Sequence, residues 1–186
     1  MNQTKELHNH LIDACKNNDA KAQMQLYDMY CKAMCVIANR YVKDSFVAED
    51  IMQDSFIKAF QNIQSFKGEV TFGAWLKRIV INNSLDWLKK RKLEIVSLND
   101  EVYERVEEND DWSISYSLQA EYIVNAIKSL KEKYSVVLSL YLLEGYDHQE
   151  IAQVLGITEV ASRTHLMRGK KQLQELLKEQ QYVEGY

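Results

Sequence analysis

Proline is absent from the 186 residues of this chain, and glycine occurs only six times. Both residues interrupt helices and strands, so a chain this poor in them has few enforced breaks. Leu, Lys, Glu, Gln and Ala, which favour helices, supply much of the sequence. The composition therefore predicts an all-α protein. Hydrophobic residues, at 46%, are sufficient to form the core of one domain or of two small ones.

Long apolar runs are also missing. The longest mostly apolar stretch, "YSVVLSLYLL" at 134–143, is much shorter than the roughly 20 residues that a membrane span requires. The first residues contain no apolar segment of the length found in a secretory signal. We therefore expect a cytoplasmic protein without direct membrane insertion.

Cysteine occurs three times, as Cys15, Cys31 and Cys35. Cys31 and Cys35 are spaced to share one face of a helix, which is half of a possible metal site. No second pair of Cys or His at ligand spacing lies nearby in the sequence. We expect buried, reduced thiols, no metal and no cofactor.

The net charge of −4 conceals a strong segregation of charge along the chain. Residues 72–92 carry a net charge of +5 and residues 162–178 carry +4, whereas residues 93–121 carry −8. Two basic segments thus flank an acidic one. An argument about binding partners has to use the local charges and not the total.

Apolar periodicity predicts three helices in the first half, over 19–42, over 44–63 with Asp44 as N-cap, and from near Thr71 to about Lys92. A short helix at 6–16 is also possible. The acidic residues 93–115 have no apolar periodicity and predict a linker. Helical patterns resume from about 116 to 180, so we expect two small helical domains, 6–92 and 116–180. The stripe predicted to be buried in the helix 19–42 comprises Met24, Tyr27, Tyr30, Cys31, Met34, Cys35 and Ala38.

The segment "HQEIAQVLGITEVASRTHLMRGKKQL" at 148–173 is typical of a helix-turn-helix. Gly156 permits the turn, and Thr158 is placed to cap the second helix. Ser162 departs from the Val or Ile that such motifs usually bury. The segment predicts a helix that enters the major groove of DNA, the alternative being a helical hairpin with a solvated basic face. The side chains of the second helix that suit base edges and phosphates are Arg163, Thr164, Met167, Arg168, Lys170 and Lys171.

Four polar residues of the helix 44–63 cluster opposite its apolar stripe: Glu49, Asp50, Gln53 and Asp54. By itself this face is either a solvated surface or a protein-docking surface. Its surroundings are more specific, since "AEDI" at 48–51 precedes Gln53 and Phe56, and Trp75-Leu76 precedes Ile79, Asn82, Asp86 and the basic "LKKRK". With "EIAQVLGIT" and "RGKKQL" in the second half, the chain resembles the extracytoplasmic-function (ECF) group of bacterial sigma factors over about 20–92 and 117–178.

This resemblance implies an initiation factor and not an enzyme. Its implied partners are promoter DNA, an anti-sigma factor and core RNA polymerase, bound through the clamp helices of the largest subunit and the flap of the second-largest. The face from Glu49 to Asp54 would dock on the clamp helices, with Asp50 and Gln53 as the foremost contacts. Charges on the rim of such an interface steer docking.

The resemblance also implies contacts with the promoter. The loop and helix from Phe66 onward would open the minus-ten element, with Asn82 lining the pocket of a flipped base and Phe72 offering a stacking surface. Trp75 is either a core residue or a base contact, and Asp86 has a structural role. Phosphates would be met by Lys77, Arg78, Lys89, Lys90 and Arg91. At the minus-thirty-five element Arg163, Thr164 and Met167 would face bases, and Arg168, Lys170 and Lys171 the backbone.

Two other functions compete with this interpretation. A DNA-binding regulator that uses only the helix-turn-helix leaves Asn82 and the acidic face unexplained. A metal-dependent nuclease that uses Glu49, Asp50 and Asp54 would need these carboxylates to converge in a cleft, whereas their spacing predicts one exposed helical surface.

Overall fold

The computed structural model describes the backbone of residues 2–95 and 120–184 and the side chains of residues 9–91 and 120–178. Within these ranges all regular structure is helical, and the chain divides into two compact units near residue 94. The all-α prediction is therefore confirmed. The predicted linker lies outside the described residues, apart from residues 93–95, which continue the last helix of the first unit.

The first unit is formed by α1 (Asn2–Lys16), α2 (Ala20–Val42), α3 (Ser45–Gln61), a single 3-10 turn (Ile63–Ser65) and α4 (Phe72–Ile95). The second unit is formed by α5 (Ala120–Ser129), α6 (Glu132–Leu138), a π-helical turn (Ser139–Leu143), α7 (His148–Leu155) and α8 (Glu159–Glu184). No helix in the described part of the chain is long and apolar enough to cross a membrane.

The helix boundaries of the first unit follow from local capping chemistry. Lys43 ends α2 in the left-handed conformation, at φ 59°. One carboxylate oxygen of Asp44 accepts hydrogen bonds from the backbone N–H groups of Phe46, at 2.9 Å, and Val47, at 3.1 Å. Thr71 Oγ1 accepts from the backbone N–H of Ala74 at 3.2 Å and starts α4. These bonds satisfy N–H groups that have no partner within a helix, and they confirm the predicted starts of α3 and α4.

The core of the first unit forms where α2 packs against α3. Ala38, Ala48 and Ala59 are fully buried, and such small side chains allow two helix backbones to approach closely. The predicted stripe of α2 is partly wrong: Met24 is exposed, and Leu26, which the prediction omitted, is fully buried. Helical periodicity identifies an amphipathic helix but leaves the centre of its buried face uncertain by one or two positions.

The three cysteines differ in environment. Cys15 is completely buried, and this burial, together with the nearby Asp19 carboxylate, raises the pKa of its thiol to about 11. A thiol with so high a pKa stays protonated and inert near neutral pH. Cys31 and Cys35 are only half-buried, so the prediction of buried thiols is correct for Cys15 alone. All three are free thiols.

In the second unit α6 packs on α8 at Gly169. A Cβ atom added at Gly169 would lie 2.9 Å from Leu138 Cδ1 and 3.2 Å from Tyr134 Cβ, closer than side chains normally approach. The fully buried residues Ile127, Leu140, Ile151 and Leu173 complete a small apolar core. This core supports the helix-turn-helix formed by α7 and α8.

We predict that Asp44→Ala lowers the free energy of unfolding of the first unit by about 1 kcal/mol, because it removes the side-chain cap of α3. Asp44→Asn, which retains an oxygen acceptor at the same position, should leave the stability nearly unchanged. Thermal or urea denaturation followed by circular dichroism measures both variants. Equal losses in the two variants would mean that the charge of Asp44, and not its capping bonds, stabilises the helix.

Candidate nucleic-acid interface and docking surface

The helix α4 is buried along one side and accessible along the other. Leu76, Val80 and Leu85 are completely or almost completely buried. On the opposite side Arg78, Asn82, Asp86 and Lys90 are exposed, and Trp75, Lys77, Ile79 and Lys89 are half-buried. Asn82 therefore presents an amide, with both a donor and an acceptor, on the open face of the helix. Asp86 was predicted to have a structural role. Its carboxylate makes no hydrogen bond or ion pair among residues 9–91 that would account for such a role.

Asn83, the neighbour of Asn82, joins α4 to α3 by two hydrogen bonds. Its Nδ2 donates to Ser55 Oγ at 2.7 Å, and its Oδ1 accepts from Lys58 Nζ at 2.6 Å. Ser55 Oγ in turn donates to the carbonyl oxygen of Ile51 at 2.6 Å. These bonds set the rotation of α4 about its axis relative to α3, and with it the outward direction of Asn82. We call this group the Asn83 clamp.

Phe72 lies in the interior and not on an accessible loop, so the prediction that it offers a stacking surface is wrong. It is the first residue of α4, is only 3% exposed, and its ring centroid lies 5.5 Å from that of Tyr30 and 5.9 Å from that of Phe66. Tertiary packing explains the difference, because apolar residues at the base of the loop turn inward against α2. Trp75 is half-buried, with its ring 5.4 Å from that of Phe66, and joins the same aromatic cluster.

A cavity of about 290 Å³ opens beside this cluster, between α1 and the loop that leads into α4. Gly68, at φ +76°, turns the loop around it in a conformation that other residues rarely adopt. Phe66 and Phe72 form the aromatic part of the cavity wall, and the loop contributes polar groups to it. The complete lining is Asn9, Ile12, Phe66, Gly68, Glu69, Val70, Thr71 and Phe72.

The basic side chains predicted to meet phosphates differ in availability. Arg78 and Lys90 are exposed, and Lys77 and Lys89 are half-buried. The Arg91 guanidinium lies over the ring of Trp87, 5.0 Å from its centroid, in a cation–π contact. Arg91 is therefore held against its own helix, and Lys90 and Arg78 are the more accessible cations.

The predicted docking face on α3 is fully accessible, since Glu49, Asp50, Gln53 and Asp54 are all exposed. Two apolar residues that the sequence analysis missed extend the same face: Phe46 is 80% exposed and Ile57 is 55% exposed. Phe46, Asp50, Gln53 and Ile57 follow each other at four-, three- and four-residue steps, which aligns them along one side of the helix. That spacing was readable in the sequence and identifies these two residues as part of the face. We call the six residues from Phe46 to Ile57 on this side the α3 face.

In the helix-turn-helix, Gly156 makes the predicted turn at φ +67°, and the Thr158 hydroxyl caps α8 by accepting from the backbone N–H of Ala161 at 3.1 Å. Ser162, the apparent departure from the motif, is completely buried, and its Oγ lies 2.9 Å from His148 Nδ1. Tyr141 stacks on the His148 ring with centroids 5.0 Å apart. The buried hydroxyl is thus paired, and the pair joins the two helices of the motif.

The second helix of the motif, α8, exposes Arg163 and Lys171, while Met167, Arg168 and Lys170 are half-buried. The Lys170 ammonium lies 6.0 Å from the centroid of the Tyr141 ring. Thr164 is 6% exposed and its hydroxyl donates to the carbonyl oxygen of Val160 at 2.8 Å, so the prediction that it faces bases is contradicted. The residue is buried because it lies at the edge of the exposed stripe. Glu159 and Val160, which the sequence analysis passed over, are exposed in its place at the start of the helix.

The carboxylates required for the nuclease alternative do not converge. Glu49, Asp50 and Asp54 project from the exposed side of a single helix. Across residues 9–91 and 120–178, no three His, Cys, Asp or Glu side chains are grouped in a way that could hold a metal ion.

Comparisons with known proteins agree with this geometry. Residues 26–94 match the family described as "Sigma-70 region 2", and residues 120–173 match that described as "Sigma-70, region 4". The ECF RNA polymerase sigma-E factor of Haemophilus influenzae is 26% identical over 175 residues, which cover 88% of this chain and 92% of that protein. The ECF RNA polymerase sigma factor SigW of Bacillus subtilis is 28% identical over 180 residues, covering 90% and 95%.

Among solved structures, CnrH in complex with the cytosolic domain of CnrY is similar, with a TM-score of 0.50, 21% identity and coverage of 92% of this chain and 97% of that one. This similarity concerns the fold. The two family matches fall on the two helical units in the order expected of a sigma factor. The chain belongs to the ECF group of the sigma-70 family and is a factor for promoter-specific initiation of transcription.

Proposed function

We propose that the first unit docks on core RNA polymerase and opens the minus-ten element, and that the second unit reads the minus-thirty-five element as closed duplex. The first unit corresponds to sigma region 2 over 6–92, the second to sigma region 4 over 116–180, and the acidic segment 93–115 links them. The observation that carries the proposal is the Asn83 clamp. It joins the helix that bears the α3 face directly to the helix that bears Asn82.

Docking would use the α3 face on the clamp helices of the largest polymerase subunit. Phe46 and Ile57 are large apolar side chains that the fold leaves in water, and the acidic and amide groups lie between them. Burying such apolar groups against a partner favours binding, and the surrounding charges select and orient that partner. The flap of the second-largest subunit would hold the second unit.

Melting would be driven by capture of an unstacked base. Unstacking a base costs a few kcal/mol, which contacts with the extruded base have to recover. Asn82 offers both a donor and an acceptor to a base edge, and the cavity between α1 and the loop offers a partly aromatic recess of about 290 Å³. Trp75, Lys77, Arg78, Lys89 and Lys90 lie on or beside the open side of α4 and would hold the separated strand by its phosphates and by stacking.

In the second unit α8 would lie in the major groove. Arg163 and Met167 would approach bases, and Arg168, Lys170 and Lys171 the backbone. The partners are therefore core polymerase and promoter DNA, and we place the activity in the cytoplasm with them. An anti-sigma partner is part of the proposal, and the similar protein CnrH is known in complex with the cytosolic domain of CnrY.

The direct test is in vitro transcription with purified core polymerase that lacks its own initiation subunit, followed by mapping of the start sites. We expect this chain to confer initiation at defined positions preceded by two common sequence elements. The proposal is refuted if core polymerase gives the same transcripts with and without the folded chain.

We predict that Ile57→Ser weakens binding to core polymerase roughly tenfold, because it removes an apolar contact of the α3 face. Val36→Ser on α2 is the matched control, since Val36 is 64% exposed, β-branched and outside that face. Fluorescence anisotropy of labelled protein titrated with core polymerase, without DNA, measures both affinities. If the two variants bind equally well, the apolar part of the α3 face has no role in docking.

We predict that Asn82→Ala reduces initiation on duplex promoters roughly tenfold, because base capture loses one or two hydrogen bonds. On a template mismatched over the minus-ten element the defect should shrink, since the cost of unstacking is already met. Asn82 is exposed, so the melting temperature should not change. Asn83→Ala should instead lower it, because the Asn83 clamp is lost. An equal defect of Asn82→Ala on both templates would argue against base capture.

We predict that Arg163→Ala weakens DNA binding by about 1–3 kcal/mol and relaxes the preference at one base pair. Lys171→Ala should instead weaken binding to all duplexes alike. It should also reduce the slope of log K against log salt concentration by about one. The reason is that a guanidinium can bond a guanine edge, while an exposed lysine farther along α8 meets only phosphate. Binding to promoter duplexes that differ by single base pairs, at several salt concentrations, measures this. Identical behaviour of the two variants would contradict the assignment.

A further inference from the structure

The first residue of the recognition helix carries a negative charge where DNA binding calls for positive charge. Glu159 begins α8, and its Oε2 lies 3.8 Å from Nη2 of Arg163, one helical turn further on. The two side chains are 50% and 52% exposed, so the pair faces solvent and not the core. An exposed ion pair of this kind adds little to stability. A carboxylate in the first turn also suits the positive end of the helix dipole, which accounts for Glu159 in the free protein. The dipole does not account for the cost of bringing this charge into a DNA groove.

Glu159 is the sole acidic residue in the first three turns of α8. In a helix-turn-helix the N-terminal residues of the second helix contact base edges. A carboxylate brought into the groove meets the repulsion of the phosphates and loses its hydration. In the complex these costs are offset where DNA supplies a hydrogen-bond donor to the carboxylate. In the major groove the donors are the amino groups of cytosine and adenine, and a carboxylate pairs best with the N4 amino group of cytosine.

We propose that Glu159 is a specificity-determining residue that accepts a hydrogen bond from a cytosine amino group in the minus-thirty-five element. Glu159 and Arg163 are separated by about 6 Å along the helix, which spans about two base pairs. The cytosine read by Glu159 therefore lies within about two base pairs of the guanine read by Arg163. This proposal rests on the proposed function, in which α8 enters the major groove.

The same carboxylate acts against wrong sequences. In a duplex without the cytosine, Glu159 faces phosphates and acceptor atoms with no donor, so that site is penalised. The ion pair also draws the Arg163 guanidinium toward the start of α8, the end of the helix that would contact base edges. Glu159 thus lowers the affinity for non-specific DNA and raises the ratio of specific to non-specific binding.

The test compares Glu159→Ala, which removes both the charge and the hydrogen-bond acceptor, with Glu175→Ala, which removes the same groups from an exposed position of the same helix, four turns away. Each full-length variant is assembled with core polymerase. Binding is then measured at one salt concentration to the duplex promoter found by start-site mapping, to all its single-base variants near the minus-thirty-five element, and to a scrambled duplex. Melting temperatures of the free proteins check that both variants are folded.

We expect Glu159→Ala to lose roughly tenfold in preference at one C·G pair and to bind the scrambled duplex a few-fold more tightly than the wild type. Glu175→Ala should keep every base preference. The proposal is overturned if Glu159→Ala retains the wild-type preferences, or if it loses the same factor on every duplex. If the wild-type protein itself shows no base preference in the minus-thirty-five element, duplex reading by the second unit fails, and the role of Glu159 fails with it. A wild-type preference that survives in Glu159→Ala leaves duplex reading intact and refutes only the role of Glu159.

Discussion

The rotation of α4 about its own axis is the constraint on which the first unit depends. One side of that helix has to be buried and the other has to remain readable, and a shift by one residue turns a side chain through about 100°. Burial of Leu76, Val80 and Leu85 opposes this shift, and Asn83 adds to it because both ends of its amide are hydrogen-bonded to α3. Any other rotation would break these bonds and turn Asn82 away from the open face. The α3 face and the open face of α4 are therefore joined through Asn83, which is half-buried, while its neighbour Asn82 is exposed.

In the second unit the orientation of a helix is also fixed, but by different contacts. A helix that reads bases has to project from the domain at a fixed angle, and the angle of α8 is set where α7 meets it. Ser162 is buried at this junction and paired with His148, whose ring stacks on Tyr141. Buried polar pairs of this kind are costly when incomplete, so they favour one arrangement over close alternatives. Ser162, which departs from the usual sequence of the motif, thus helps to hold its two helices together.

Charge and apolar surface are divided between the faces proposed for the two partners. The α3 face combines carboxylates with exposed Phe46 and Ile57, a mixture suited to a protein surface. The open side of α4 and the exposed side of α8 carry cations, as phosphate binding requires. Glu159 is the exception on α8, and its ion pair with Arg163 is the contact on which the proposed selection of sequence rests.

The amino-acid sequence by itself determined the helical class, the caps at Asp44 and Thr158, the start of α4 near Thr71 and the turn at Gly156, because each depends on a few neighbouring residues. It also determined the family, through motifs whose spacing survives in the linear chain. Only the tertiary structure decided which of two adjacent side chains is buried. Periodicity defines a face only to within one or two positions, and packing against another helix selects among these, which is why Met24 was misassigned. Phe72 and Thr164, whose roles were implied by the resemblance, are buried by tertiary packing, while Asn82 and Arg163 are exposed.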